Sequence, residues 1–270
     1  MRISSALAAV AISCFLPLVA CASDATTDAA APAESESHAR LEVDHLFVFV
    51  GKDGDRFDIG TDARERLTLF PHLNWHEGQG TGGLYTYFEN FYIEFLALEV
   101  PETATANAER AGSDFNVRSA WREGEGVSPF GIGIRDHDSD PSTLPFETFS
   151  YSSEWMGDHF SLAVAENAGN TGEPWTFTMP ISVSGPPGPE LRRDGFEEFL
   201  DNPLGIQNMT ALDITLDHGA PLSPTMETLV AEGMITVSRG DEPLATITFD
   251  DGAQGQQLDM RPDLPIVIQY

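Results

Sequence analysis

Hydrophobic positions fall along this chain in short dense runs rather than in helical stripes. Residues 41–50, LEVDHLFVFV, and residues 83–98, GLYTYFENFYIEFLAL, are the densest. Unbroken β-branched and aromatic runs of this kind predict strands covered on both faces. Between them, residues 54–67 set Phe57, Ile59, Ala63 and Leu67 among charges at the spacing of one short amphipathic helix. RLTLFPHLN at 66–74 predicts a second strand broken by Pro71, and HEGQGTGG at 76–83 predicts a glycine-rich turn. Strands over 83–88 and 91–98 then flank Glu89-Asn90, so the order is strand, helix, three strands. A similar order recurs from residue 206: NMTALDITL, a helix from Ser223 to Glu232 with Pro224 in its first turn, then MITVSRG, PLATITFDDG and LPIVIQY. Two such units predict an α+β protein of repeated βαβββ units, with cupped mixed sheets and few short helices. The middle is harder to divide: SPFGIGIR at 128–135 and WTFTMPISV at 175–183 read as strands, and SGPPGPE at 184–190 as a linker.

Each of the two densest runs carries one potential metal ligand in its interior, His45 in the first and Glu94 in the second. A carboxylate inside so apolar a strand is costly to bury alone, and a divalent cation shared with His45 would pair with it. With a period of two, His45 shares a face with Val43, Phe47 and Phe49, and Glu94 with Tyr92, Leu96 and Leu98. Both groups therefore point to one apolar, aromatic cavity.

The N-terminus adds an address. Arg2 precedes an apolar stretch from Ala6 to Leu16, too short to span a bilayer, followed by Leu18-Val19-Ala20-Cys21. This tetrapeptide resembles the lipobox of bacterial lipoproteins, which implies cleavage of residues 1–20, a lipid on Cys21 and an outer-membrane location. An ordinary secretory signal cut near Ala20 or Ala22 is the other reading, and both predict export. Residues 21–40 lack large apolar side chains and read as a tether. A first folded region over 41–185, a linker over 186–205 and a C-terminal βαβββ-like unit over 206–270 complete the organisation. Cys14 and Cys21 are the two cysteines, so neither a disulfide nor a cysteine nucleophile is expected in the folded part.

Charge narrows the partners. Against 43 acidic residues stand 14 basic ones, a formal net charge of −29, and Lys52 is the sole lysine. That balance argues against nucleic acid and against electrostatic docking on anionic lipid, and leaves the lipid anchor as the contact with membrane. It is also a field that attracts cations, although solubility alone explains an acidic surface.

Together, DHLFVFV, HEGQGTGGLYTYFENFYIEFLAL and LPFETFSYSSEW resemble the glyoxalase-like domains of the vicinal oxygen chelate superfamily. The resemblance is strongest over residues 41–100. It implies a cup of paired βαβββ units in which inward side chains of first and fourth strands hold a divalent metal (Zn, Fe, Mn or Ni) that binds two adjacent oxygens of a small-molecule substrate. On that reading His45 and Glu94 are metal ligands, Glu94 or His76 moves a proton, and the reaction is of the lyase, isomerase or dioxygenase type. The sequence departs from the pattern in the C-terminal unit, where Ala211 stands in place of a second histidine and Asp259 offers the nearest carboxylate. His76, Gln79, His159 or water would then complete the metal sphere. The alternative is an envelope protein that binds a small apolar or aromatic ligand in the cup without chemistry, and an immunity or resistance protein is a third reading. Pairing of units within one chain and across a homodimer both fit.

Other motifs drop out. HEGQG lacks the second histidine of a zinc-protease helix, and DHDSDPSTLPFE at 136–147 has Pro141 where a calcium loop needs glycine. There is no Gly-x-Ser-x-Gly and no dinucleotide fingerprint.

Overall fold

The computed structural model describes residues 40–138, 140–180, 196–219 and 221–270. The expected signal segment, Cys21, the tether up to residue 39 and the proline-rich part of the linker lie outside them.

The first run forms β1 (Leu41–Asp53), whose end folds back on β2 (Arg56–Asp58) before α1 (Gly60–Arg66). Strands β3 (Asn74–His76), β4 (Thr81–Tyr87) and β5 (Tyr92–Leu98) follow, with β5 parallel to β1 and antiparallel to β4. In space the order is β3-β4-β5-β1, a βαβββ unit. Two helices come next, α2 (Pro101–Ala111) and α3 (Phe115–Ser119). Then β6 (Phe130–Asp136), β7 (Thr148–Tyr151), β8 (Leu162–Ala165) and β9 (Trp175–Pro180) repeat the arrangement as β6-β9-β8-β7, with β6 parallel to β9. A short 3-10 turn at Pro141–Thr143 stands where the first unit has its helix. Antiparallel pairing of β1 with β6 joins the two units into one curled sheet.

The second sheet is built from β10 (Met209–Asp217), α4 (Pro224–Ala231), β11 (Thr236–Gly240), β12 (Leu244–Phe249), β13 (Gln257–Asp259) and β14 (Ile266–Gln269). Its order is β11-β10-β12-β14-β13, which differs from the spacing of a βαβββ unit because α4 returns the chain to a parallel neighbour of β10. Ser223 caps α4 by accepting from the Met226 amide at 3.3 Å, and Pro224 occupies the first turn, as the sequence predicts.

The two faces of the large sheet have different tasks. Leu46, Val48, Ile93, Phe95, Ile132 and Ile134 point to one side, where Leu212, Ile214, Ile247, Phe249 and Met226 of the second sheet and α4 cover them. Phe249 packs on Phe88 with ring centroids 4.3 Å apart, and the Asn90 amide bonds both backbone groups of Met209 at 2.8 and 2.9 Å. On the other side Phe47, Phe49, Leu96, Trp175 and Phe177 form a second core, closed at one end by Ala104, Ala111 and Phe115 of α2 and α3. Past these helices that face opens into a cavity.

Candidate functional site

The cavity has a volume of about 630 Å³ and is lined from both units of the curled sheet. Its walls follow from strand register. Pairing of His45 with Tyr92 and of Phe47 with Glu94 sets those side chains on one face, and Tyr85 opposite Glu94 and Tyr87 opposite Tyr92 extend it. His45, His76 and Glu94 all line it, as the sequence predicts for one apolar, aromatic hollow.

One parity assignment needs correction. Val43 pairs with Ile134 and His45 with Gly133, so a β-bulge lies between them and Val43 points into the opposite core. The extra residue is Asp44, and a bulge of this kind lets two successive side chains share a side. Asp44 is fully buried and its carboxylate is divided between two partners: Oδ1 lies 2.8 Å from His45 Nδ1 and Oδ2 accepts from Arg135 Nη2 at 2.7 Å. Arg135 also reaches Glu42 at 3.2 Å. His45 therefore donates through Nδ1–H to Asp44 and turns Nε2 away from it, the orientation a carboxylate imposes on an imidazole. Tyr92 stacks on the imidazole at 4.3 Å and Phe177 meets its edge at 5.3 Å.

A second polar cluster surrounds Glu94. Tyr85 Oη donates to Glu94 Oε1 at 3.0 Å, Asn74 Nδ2 approaches Tyr85 Oη and His76 Nε2 at 3.4 Å each, and His76 Nδ1 lies 3.1 Å from Thr81 Oγ1. Thr81 gives its own hydrogen to Gln79 Oε1 at 3.2 Å, which leaves its oxygen to accept from His76 Nδ1–H. His76 Nε2 is then the unprotonated nitrogen of a neutral ring, meeting the Asn74 donor at 3.4 Å and lying 3.3 Å from Tyr85 Oη. Burial lowers the His76 pKa below its usual value, against a smaller opposing pull from Glu94. Burial also raises the hydroxyl pKa values of Tyr85, Tyr87 and Tyr92, with Glu94 adding to each. All three are neutral phenols at pH 7.

This neutral, buried His76 has a consequence for stability. Because its pKa is lower in the folded chain, the unfolded chain takes up a proton first as pH falls. Its contribution is complete above about pH 6.5 and is lost as pH drops from there towards the folded value, at a slope of at most about 1.4 kcal/mol per pH unit. Urea unfolding at pH 7 and pH 5.5 should show the native protein losing more stability than a His76→Asn variant. Equal losses would mean that His76 is not the group responsible.

Among the described residues the donors that face the cavity are not gathered into a metal group, although His76 Nε2 lies 3.7 Å from Glu94 Oε1. His45 and Glu94 face the same cavity, but the described residues contain no group of three or more His, Cys, Asp or Glu arranged to hold an ion. His159 is exposed and does not line the cavity, Gln79 is engaged with Thr81, and Asp259 on the second sheet pairs with Arg261 at 2.6 Å. Tyr92 was placed on the cavity face with Glu94, but Asp44, Arg135, Asn74, Tyr85 and Tyr87 were not singled out by sequence reasoning. Period two from Glu94 and the Asp-His pair in β1 were the signals pointing to them.

No protein-family model matches this chain, and no curated protein matches its sequence. Among solved structures, a hypothetical protein from Staphylococcus aureus is similar at 11% identity with a TM-score of 0.51, over 84% of this chain and 98% of that one. At that identity the likeness shows the fold alone, a curled mixed sheet compatible with a βαβββ cup.

Proposed function

We propose that this protein binds a small, largely apolar organic molecule in the hollow of its curled sheet. The observation that carries this reading is the cavity of about 630 Å³, walled by aromatic rings and Leu96, Leu162 and Met179, with the polar clusters of Glu94 and His45 confined to part of its lining. Concave apolar pockets with a few placed polar groups are the usual form of small-molecule sites. The large sheet supplies a wall for it, and Asp44, Arg135, Thr81 and Tyr85, which hold the polar groups in place, are themselves buried and hydrogen-bonded.

Trp155 and Trp175 line the cavity and report on it. Titration with small aromatic compounds should shift or quench tryptophan emission saturably, and a Phe177→Asp variant, which sets a charge in the wall, should abolish the change. Absence of any saturable ligand across such a panel would count against the reading. Metal analysis of the same preparation should find no stoichiometric transition metal. A stoichiometric metal that disappears in His45→Ala would instead favour the metal-dependent chemistry on adjacent oxygens that the resemblance implies.

A further inference from the structure

We infer that the ligand of this cup is a small organic cation, an amine or quaternary ammonium on an apolar body. This deepens the binding reading above and rests on it. Few charged side chains reach the hollow. Among the described residues lining it, Glu94 is the only acid, and neither lysine nor arginine is present. Glu94 is 6% exposed, so water does little to screen it.

The groups near Glu94 bring no paired positive charge to its carboxyl group. Tyr85 donates one neutral hydrogen bond to Oε1. His76 Nε2, 3.7 Å from the same oxygen, is the unprotonated nitrogen of a neutral ring, because its other nitrogen supplies the hydrogen that Thr81 accepts. Arg135, the nearest guanidinium on the β1–β6 side, is held by Asp44 and Glu42. His45 is turned towards Asp44 as well. Glu94 Oε2 accepts no hydrogen bond from any described residue. A carboxylate oxygen left in this way at a cavity wall is a site for a positive charge carried by the ligand.

The walls beside it suit a cation that is also apolar. Tyr85, Tyr87 and Tyr92 lie with ring centroids 5.4–5.9 Å from one another, and Tyr92 stacks in turn on His45. Neutral phenol rings present electron-rich faces, and clustered aromatic faces bind alkylammonium groups that a bare carboxylate would bind less selectively. Among the described residues the donors of this wall are not gathered into a group that would hold a metal ion, whereas an ammonium group needs one carboxylate and ring faces. The overall net charge of −29 adds a field that concentrates cations at the surface.

The test compares two probes of one shape. Benzyltrimethylammonium carries the charge, and neopentylbenzene replaces its nitrogen with carbon. Calorimetric or fluorescence titration of the full chain should show the ammonium compound binding at least tenfold more tightly than the neutral one. Glu94→Gln keeps the size of the side chain and an acceptor for Tyr85, so it should bring the ratio of the two affinities close to one. Tyr87→Leu should weaken the ammonium compound more than the neutral one. If neopentylbenzene binds to the native chain as tightly as its charged counterpart, the cation inference fails while the binding reading stands. If neither probe binds, both fail.

Discussion

Replacing Arg118 with alanine is expected to lower the midpoint of thermal unfolding by on the order of 10 °C. The guanidinium is fully buried and makes five hydrogen bonds, to Ser113 Oγ and to the carbonyl oxygens of Ser128, Ala168, Asn170 and Glu173, at 2.8–3.4 Å. These acceptors come from segments far apart in sequence: the link between α2 and α3, the approach to β6 and the approach to β9. One side chain thus ties the helices that close the end of the cup to the segments that lead into β6 and β9 of the second unit. Burial pushes the Arg118 pKa down to about 9, and the Glu173 carboxylate works in the opposite direction. Glu173 is itself buried, accepting from Asn167 Nδ2 at 2.8 Å and from the Ser223 amide at 2.7 Å where α4 begins. Alanine would orphan several carbonyls and leave Glu173 without its counter-charge. Loss of one partner from a buried network of this kind costs about 3–5 kcal/mol, and in a domain of this size each kcal/mol moves the midpoint by about 2–4 °C. Arg118→Lys should fall between native and alanine, since one ammonium retains the charge but has three donors in place of five. An unchanged midpoint in the alanine variant would show that the anchoring of these segments lies elsewhere.

Arg118 also marks what the sequence leaves unread. Nothing around FNVRSAW distinguishes a buried arginine from a solvated one, because its acceptors are backbone groups that any residue supplies. The strands of the first unit were legible because β1, β4 and β5 are long and covered on both faces, so composition alone reveals them. The repeat lying in residues 130–180 was not. Its β6 and β9 were expected as strands and are strands, but β7 and β8 are four residues each and a 3-10 turn replaces its helix, so the unit as a whole did not show. The C-terminal segment shows the opposite case. Its element order suggested a copy of the first unit, yet α4 sets β11 beside β10, and three-residue β13 lies inside a stretch that composition marks as loop. Order along the chain does not fix order across a sheet when the crossover can return on either side. Strand boundaries near Pro71 moved for a related reason: β3 is Asn74–His76, formed from residues that the glycine-rich turn and the preceding run were expected to contain. Within the site, strand parity placed His45 and Glu94 on the cup face, but one bulge residue reversed Val43 and brought Asp44 into contact with His45. A period-two argument has no means of detecting a bulge.

Gly133→Ala is expected to cost about 3 kcal/mol and to disturb the cup at the same time. Gly133 pairs with His45 across β1 and β6, and a Cβ placed there would lie 2.1 Å from His45 Cε1 and 2.4 Å from Nδ1. The imidazole has little room to yield. Tyr92 stacks on it at 4.3 Å, Phe177 meets its edge, and Nδ1 is held by Asp44, which Arg135 holds in turn. A methyl group at 133 therefore strains the ring's contacts and pulls it from the buried carboxylate, so an overpacking cost of about 1–3 kcal/mol combines with a weakened charge-assisted hydrogen bond of about 1.5–3 kcal/mol. Gly131 offers a control one step along the strand. A Cβ there would lie 2.1 Å from Phe47 Cε1, but Phe47 makes no hydrogen bond to lose and its ring can tilt, so Gly131→Ala should cost less. The decisive comparison is a double-mutant cycle with His45→Ala. Removal of the imidazole leaves space for the methyl group, so the double variant should be destabilised by at least 1 kcal/mol less than the sum of the single variants, as expected for residues in direct contact. Additive losses in urea unfolding would mean that Gly133 is required for some reason other than the ring lying against it.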